Sequence, residues 1–264
     1  MKDILSEIVA NKRIEVDKQK LELPLSELER KLHQKNSIPF YSLKDALLKS
    51  KSGIIAEFKR HSPSKGWLHQ NADVNAVVKA YTDAGASALS VLTDEKYFGG
   101  TLNDMKSAVD NVSIPVMRKE FIVDEYQIYE AKLEGASAIL LIAAAISKDE
   151  SKRFTELAKQ LELEVLLELH DESEIDYITS INEIIGVNNR NLGSFETNLE
   201  KSFKMAELLP ENAVWVSESG ISEANVVREL RDAGYKGFLI GEFFMKSGNP
   251  GENLSRFIQQ IVDV

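Results

Sequence analysis

The chain has 264 residues, a formal net charge of −10 and no cysteine. That excludes thiol nucleophiles, cysteine-based metal sites and disulfides, and it weighs against a nonspecific nucleic-acid surface. The length is close to that of one large α/β barrel and buries a sizeable core unaided, so a single domain over 1–264 is expected.

The N-terminal "MKDILSEIVANKR" carries acids and no cleavable apolar core, and no apolar run approaches the ~20 residues that span a bilayer. A cytoplasmic protein without membrane contact is expected. Residues 1–50 read as a helical extension, because Ile4, Leu5, Ile8 and Val9 recur at helical spacing and "LPLSELERKL" offers Pro24 and then Ser26 as a start signal.

From Gly53 onward, short apolar strands alternate with amphipathic helices of roughly ten to fifteen residues, the mark of βα units and a parallel sheet. Eight strands are predicted, over 53–60, 88–94, 115–121, 138–144, 165–170, 184–189, 214–220 and 237–244, each followed by a helical pattern. Gly85 in "DAGASALSV" and Gly135 in "LEGASAILL" take the left-handed position that closes a helix, with a looser echo at Gly234. The recurrence hints at repeated βα pairs.

Eight βα units either close into a barrel or form an open doubly wound sheet. No G-x-G-x-x-G follows the first strand, and "HSPSKG" lacks the glycine spacing of a phosphate P-loop. A (β/α)8 TIM barrel is therefore predicted, with its functional face at the C-terminal ends of the strands.

Side chains alternate along a strand, so in "GIIAEFKR" Glu57 and Lys59 share the inward face with Ile55, while Phe58 turns toward the helices. The same test groups Met117, Lys119 and Phe121, then Leu166, Glu168 and His170, then Asn188 and Arg190. Each group alone reads equally as a solvated strand end or an ion pair stapling two strands. Their convergence at a barrel mouth is costly unless they pair or meet a ligand, which points to an anionic substrate with ionisable chemistry.

"SESGI" and "LIGEFF" put Gly220 and Gly241 at the ends of strands seven and eight, where barrels often hold phosphate on backbone N–H groups. The plain alternative is an ordinary tight turn. His33, His61, His69 and His170 show no ligand spacing, so no metal is expected. Tyr126 and Tyr129 read as packing on one helix face, and "SKDESKRFTELAKQLELE" reads as a solvated helix.

Taken together, "IIAEFKRHSPSKG", "LTDEKYFGG", "VMRKEFI", "NNRNL", "SESGI" and "LIGEFFM" resemble the indole-3-glycerol-phosphate synthase family, in its order and over essentially the whole chain. The resemblance implies ring closure of 1-(2-carboxyphenylamino)-1-deoxyribulose 5-phosphate, a small phosphorylated substrate, with loss of carbon dioxide and water and no cofactor. It implies Lys119 as principal general acid, Glu168 as partner acid or base in dehydration, Lys59 as holder of a substrate anion and candidate proton source in the later step, and Glu57 as orienting Lys59 or a substrate hydroxyl. A lysine serves as such an acid when desolvation or a nearby cation lowers its pKa. Which lysine acts at which step stays open.

The same resemblance makes Asn188 and Arg190 substrate contacts, with Arg190 suited to a carboxylate by its planar fork. Glu218 and Ser219 would reach ribulose hydroxyls. Ser62, Pro63, Phe98 and Phe121 would wall the anthranilate ring, and the N–H groups of Gly220, Gly241 and Glu242 would hold the phosphate with help from Lys59. "SPSKG" would begin a covering loop hinged at Gly66. Phe243 and Glu120 depart from the commoner residues of the family, at the phosphate turn and beside Lys119; by parity Glu120 points away from the rim.

Two rivals stand beside this reading. Phosphoribosylanthranilate isomerase, a related barrel, uses a cysteine base that this chain lacks. A catalytically silent phosphate-binding barrel or partner subunit should have lost its rim charges, and these remain. A monomer or weak homo-oligomer is expected, with room for contacts to other tryptophan-pathway enzymes.

Overall fold

The computed structural model describes residues 4–35, 38–191 and 193–262. Eight parallel strands close into a barrel: β1 (Ile54–Phe58), β2 (Ala88–Leu92), β3 (Val116–Lys119), β4 (Ala138–Ile142), β5 (Glu164–Leu169), β6 (Ile184–Asn188), β7 (Val214–Glu218) and β8 (Gly237–Ile240). Each pairs with its sequence neighbours, and β1 closes the ring by pairing with both β2 and β8.

Alternation along the strands separates two cores. Ile54, Ala56 and Phe58 of β1 pack outward with the helices, whereas Ile55 joins Met117, Leu140, Leu166 and Leu239 inside the barrel. Burying each of the larger side chains contributes about 1.5–3 kcal/mol. The ring of helices and the barrel filling are thus built from opposite faces of the same strands.

Three helices precede β1: α1 (Ile4–Glu22), α2 (Leu25–Gln34) and α3 (Leu43–Lys49). The cap α3 crosses the N-terminal end of the barrel, where Leu47 packs on Gly237 at the start of β8. There Ser42 Oγ donates to Glu164 at the start of β5, at 2.6 Å. At the opposite end, Leu5 and Ile8 of α1 join the interior core. Helix α2 begins after Pro24, but Ser26 lies inside it and makes no cap.

The strands are shorter than their apolar runs. The eighth stops at Ile240, and the second half of "LIGEFF" is a helical turn, Glu242–Met245. Ser219 and Gly220 leave β7 with positive φ of 69° and 80°, which ends its pairing. After β5 the chain forms only a 3-10 turn, Glu172–Tyr177, in place of the predicted helix. Gly85, Gly135 and Gly234 do take left-handed φ. Tyr126 is buried against Val16 and Leu28, with Tyr129 packed beside it.

Among the described residues no helix is long and apolar enough to cross a membrane.

Candidate active site

A cavity of about 1100 Å³ opens at the C-terminal ends of the strands, and every site residue named from the sequence borders it. The register places their carriers side by side: Leu92 is level with Lys119, Ile142 with Glu168, and Asn188 with Glu218. Lys119, Glu168 and Glu218 come from the alternate strands β3, β5 and β7, and inward side chains of alternate strands share a layer of the barrel.

They meet as a connected charge network. Lys119 Nζ lies 3.0 Å from Glu168 Oε2 and 2.7 Å from Glu218 Oε2. Asn188 Nδ2 donates to Glu168 Oε1 at 3.1 Å, and His170 Nε2 lies 3.1 Å from the same oxygen. On β1, Lys59 pairs with Glu57 at 2.6 Å. The rim charges thus pair with one another, which offsets the burial that isolated charges could not sustain.

Two glycines shape this network. A Cβ on Gly186 would stand 2.4 Å from Glu218 Oε1, and a Cβ on Gly241 would stand 2.5 Å from Glu57 Oε1. Gly186 sits mid-strand in β6, where a glycine signals close approach. The sequence reading missed it, although "IIGVNN" carried the signal. Also missed was the buried Asn189, whose Nδ2 donates to the carbonyls of Glu218 and Ser219 at 3.0 and 3.2 Å and fixes the end of β7.

One side of the cavity is aromatic and apolar. Phe98 and Phe121 face it with ring centroids 6.0 Å apart. Ile4, Leu5 and Ile8 of α1 complete that wall, and helical periodicity gave no hint that they would reach a site. The loop after β1 forms a small hairpin, His61–Ser62 with Gly66–Trp67, whose Ser62 and Pro63 border the cavity. His61 Nδ1 donates to the Tyr97 carbonyl at 2.6 Å and ties the hairpin down. Gly66 takes φ +69° with open space around it.

Across the mouth, Arg190 spans three segments. Its guanidinium donates to Ser64 Oγ at 3.3 Å, the Phe195 carbonyl at 3.2 Å and Glu242 Oε2 at 3.1 Å. One arm of its fork, Nη2, holds a carboxylate, and that carboxylate is the protein's own. Phe243 stacks on Phe244 and Phe257, each at 5.5 Å. Glu120 borders the cavity but turns its carboxylate away, toward Thr93 and Lys12.

The family model for indole-3-glycerol phosphate synthase matches residues 5–257. The chain belongs to the indole-3-glycerol phosphate synthase family. A synthase of that name from Bacteroides thetaiotaomicron is 55% identical over 262 residues, covering 99% of this chain and 100% of the relative. Another from Aliarcobacter butzleri is 41% identical, covering 96% of this chain and 98% of the relative. Among solved structures, tryptophan synthase subunit alpha from Legionella pneumophila superposes with a TM-score of 0.63 at 12% identity, covering 86% of this chain and all of that one. That likeness speaks for the barrel alone.

Within this synthase barrel, the electrostatics follow from burial set against neighbours. Burial opposes the Lys119 charge, but Glu168, Glu218 and Glu57 outweigh it and raise its pKa above the ordinary lysine value. The lowering that the sequence reading required is thus reversed by three carboxylates around one ammonium. Burial would lift Glu168, yet Lys119 and His170 hold it well below the usual carboxylate range. Glu218 is pushed up to about 7 by burial and by the charge of Glu168, against the pull of Lys119. The two carboxylates of this synthase family member therefore differ: one stays ionised and the other holds a proton more readily.

Among the described residues no group of three or more His, Asp or Glu side chains is arranged to hold a metal ion.

Proposed function

We propose that this chain is a working indole-3-glycerol-phosphate synthase, and that Lys119, bracketed by Glu168 and Glu218 beside the Phe98–Phe121 wall, is its principal acid. The bracketing carries the reading. It keeps the lysine in its proton-bearing form at the point where a substrate carbonyl would enter.

In the reaction, the ring carbon that bears the carboxylate bonds to the ketone carbon. The ketone oxygen takes a proton from Lys119 and becomes a hydroxyl. Breaking the bond to the carboxylate releases carbon dioxide and restores the aromatic ring. The hydroxyl then leaves as water with a second proton, while the neighbouring methylene loses one, giving indole-3-glycerol phosphate. Glu168, held ionised, suits the removal of that proton, with Asn188 fixing its carboxylate.

The charges that Lys119 balances explain how an ammonium of raised pKa gives up a proton. A substrate that displaces a carboxylate from Lys119, or draws a proton onto Glu218, removes what raises its pKa. Lys59, joined to Glu57, would hold a substrate anion and supply the second proton. Glu218 and Ser219 would take the ribulose hydroxyls, and Ser62 and Pro63 would cover the ring.

For the phosphate, the N–H groups of Gly220, Gly241 and Glu242 remain the proposed cradle. Arg190 would exchange Glu242 for a substrate anion, because the Glu242 carboxylate keeps Lys246 as a partner at 2.6 Å. The reading takes the enzyme as a monomer or weak homo-oligomer acting in the cytoplasm.

The test is to mix purified protein with 1-(2-carboxyphenylamino)-1-deoxyribulose 5-phosphate, without added metal, and follow indole fluorescence. Turnover that is absent in Lys119→Ala supports the reading. Substrate binding without indole formation by the wild type overturns it in favour of a silent barrel.

A further inference from the structure

The N-terminal helix carries an ammonium that no step above uses. Lys12 Nζ lies 2.7 Å from Glu15 Oε2, 3.0 Å from Asp94 Oδ2 and 3.2 Å from Glu120 Oε1. The Lys12 side chain is 6% exposed, Asp94 0% and Glu120 3%. Three buried charges meet there, far along the chain from one another.

Each of the two buried carboxylates that Lys12 holds, Asp94 and Glu120, also fixes the backbone beside one ring of the aromatic wall. Asp94 Oδ1 accepts from the Tyr97 N–H at 2.7 Å and caps the helical turn Glu95–Phe98, which carries Phe98. Glu120 Oε1 accepts from the Phe121 N–H at 2.8 Å, while its Oε2 accepts from Thr93 Oγ1 at 2.8 Å. Thr93 N in turn donates to the Lys119 carbonyl at 3.0 Å. One ammonium therefore joins the anchors of both rings and of the strand end that bears Lys119.

We propose that Lys12 is a positioning residue, which sets the gap between Phe98 and Phe121 and so determines how the aromatic ring of the substrate is held. The proposal rests on the synthase reading of the cavity. Two carboxylates buried side by side repel, and Lys12 bridges them; Arg118 reaches Glu120 only at 3.9 Å. Without the ammonium the pair separates or takes up a proton, and either change moves the Tyr97 and Phe121 backbone that the carboxylates hold. Among the described residues, the Lys12, Asp94 and Glu120 side chains make no direct hydrogen bond or ion pair with Gly220, Gly241 or Glu242, at the phosphate end of the cavity.

Lys12→Met keeps most of the apolar stem, one atom shorter, and removes the charge. A sensitive comparison is the affinity for indole-3-glycerol phosphate, which has both ring and phosphate, against that for glycerol 3-phosphate, which has no ring. In Lys12→Met the first falls by about tenfold or more and kcat/KM falls on the order of 10²-fold, the scale of a 1 Å misplacement, while glycerol 3-phosphate binds as before. Lys12→Arg restores most of the loss. Lys20→Met, which removes the 2.6 Å pair of the same helix with Asp124, leaves both affinities unchanged.

Equal weakening of both ligands in Lys12→Met, or a Lys20→Met variant that reproduces the loss, overturns the proposal in favour of simple helix docking. An unaltered Lys12→Met overturns it outright. Should Lys12→Met not fold, Asp94→Asn, which keeps the cap oxygen and removes one anion, must show the same split between ligands. A wild type that turns over no substrate sinks the synthase reading itself, a result separate from any of these.

Discussion

Lys119 Nζ is held 2.7 Å from Glu218 Oε2, and the same ammonium lies 3.0 Å from Glu168 Oε2. Lys119→Ala leaves two buried carboxylates facing each other, so one of them takes up a proton. The expected loss is about 10²- to 10⁴-fold in kcat, the usual contribution of a general acid, with glycerol 3-phosphate affinity little changed. Equal losses in both quantities would show that Lys119 serves binding or folding and would remove it from the chemistry.

Gly186 gives Glu218 its place. In Gly186→Ala the new Cβ would meet Glu218 Oε1 at 2.4 Å and Leu166 Cδ1 at 3.2 Å, so the carboxylate must swing away. The expected stability loss is about 1–3 kcal/mol by overpacking. A drop in kcat/KM on the order of 10²-fold should accompany it, as for other small misplacements of a reacting group. Steady-state kinetics beside a urea melt separate the two effects, and full activity in a destabilised variant would show that the position of Glu218 is immaterial.

His170 makes stability fall with rising pH. Burial lowers its pKa, but Glu168 and Glu174 outweigh that and push it up from 6.5 to about 9. The folded state then binds more protons than the unfolded chain between those values. The stabilisation is complete below pH 6.5 and is lost as pH rises through 9. Glu218, pushed up from 4.5 to about 7, adds a loss of the same sign over its own, lower window. Unfolding free energies from urea melts of wild type and His170→Gln should diverge below pH 9, by on the order of 1–3 kcal/mol at pH 6.5. Parallel curves would remove His170 from the account.

Arg190→Ala frees Glu242 to remain with Lys246 and leaves no buried charge alone, so the fold should survive. The expected outcome is KM raised by about tenfold or more with kcat nearly unchanged, the sign of uniform binding lost. A collapsed kcat at constant KM would reassign the residue from binding to chemistry.

The alternation of "GIIAEFKR" was enough to send Glu57 and Lys59 inward and Phe58 outward, because side-chain direction along a strand is a local property. The same holds for Lys119, Glu168 and Asn188. Strand ends were read too long where apolar residues ran on into a turn, as in "LIGEFF": hydrophobicity reports burial, and buried residues continue past the last ladder hydrogen bond.

Charge state was the harder quantity. The sequence makes Lys119 an acid on the condition that desolvation or a nearby cation lowers its pKa, since a buried lysine by itself is destabilised as a cation; the approach of carboxylates from β5 and β7 reverses the direction. Residue types in sequence say nothing of such distances, because the three strands are separated by tens of residues and meet only when the barrel closes.

By itself, the sequence determined the order of strands, the inward and outward faces, and the set of polar groups at the rim, all of which follow from periodicities of a few residues. Only the tertiary structure decided the pairings: Lys119 with two carboxylates, Glu218 over Gly186, Arg190 with Glu242, and Lys12 beneath the aromatic wall. Those depend on barrel closure and helix docking, which bring together residues remote in the chain, and Coulomb energies at 3 Å are set by that geometry and not by composition.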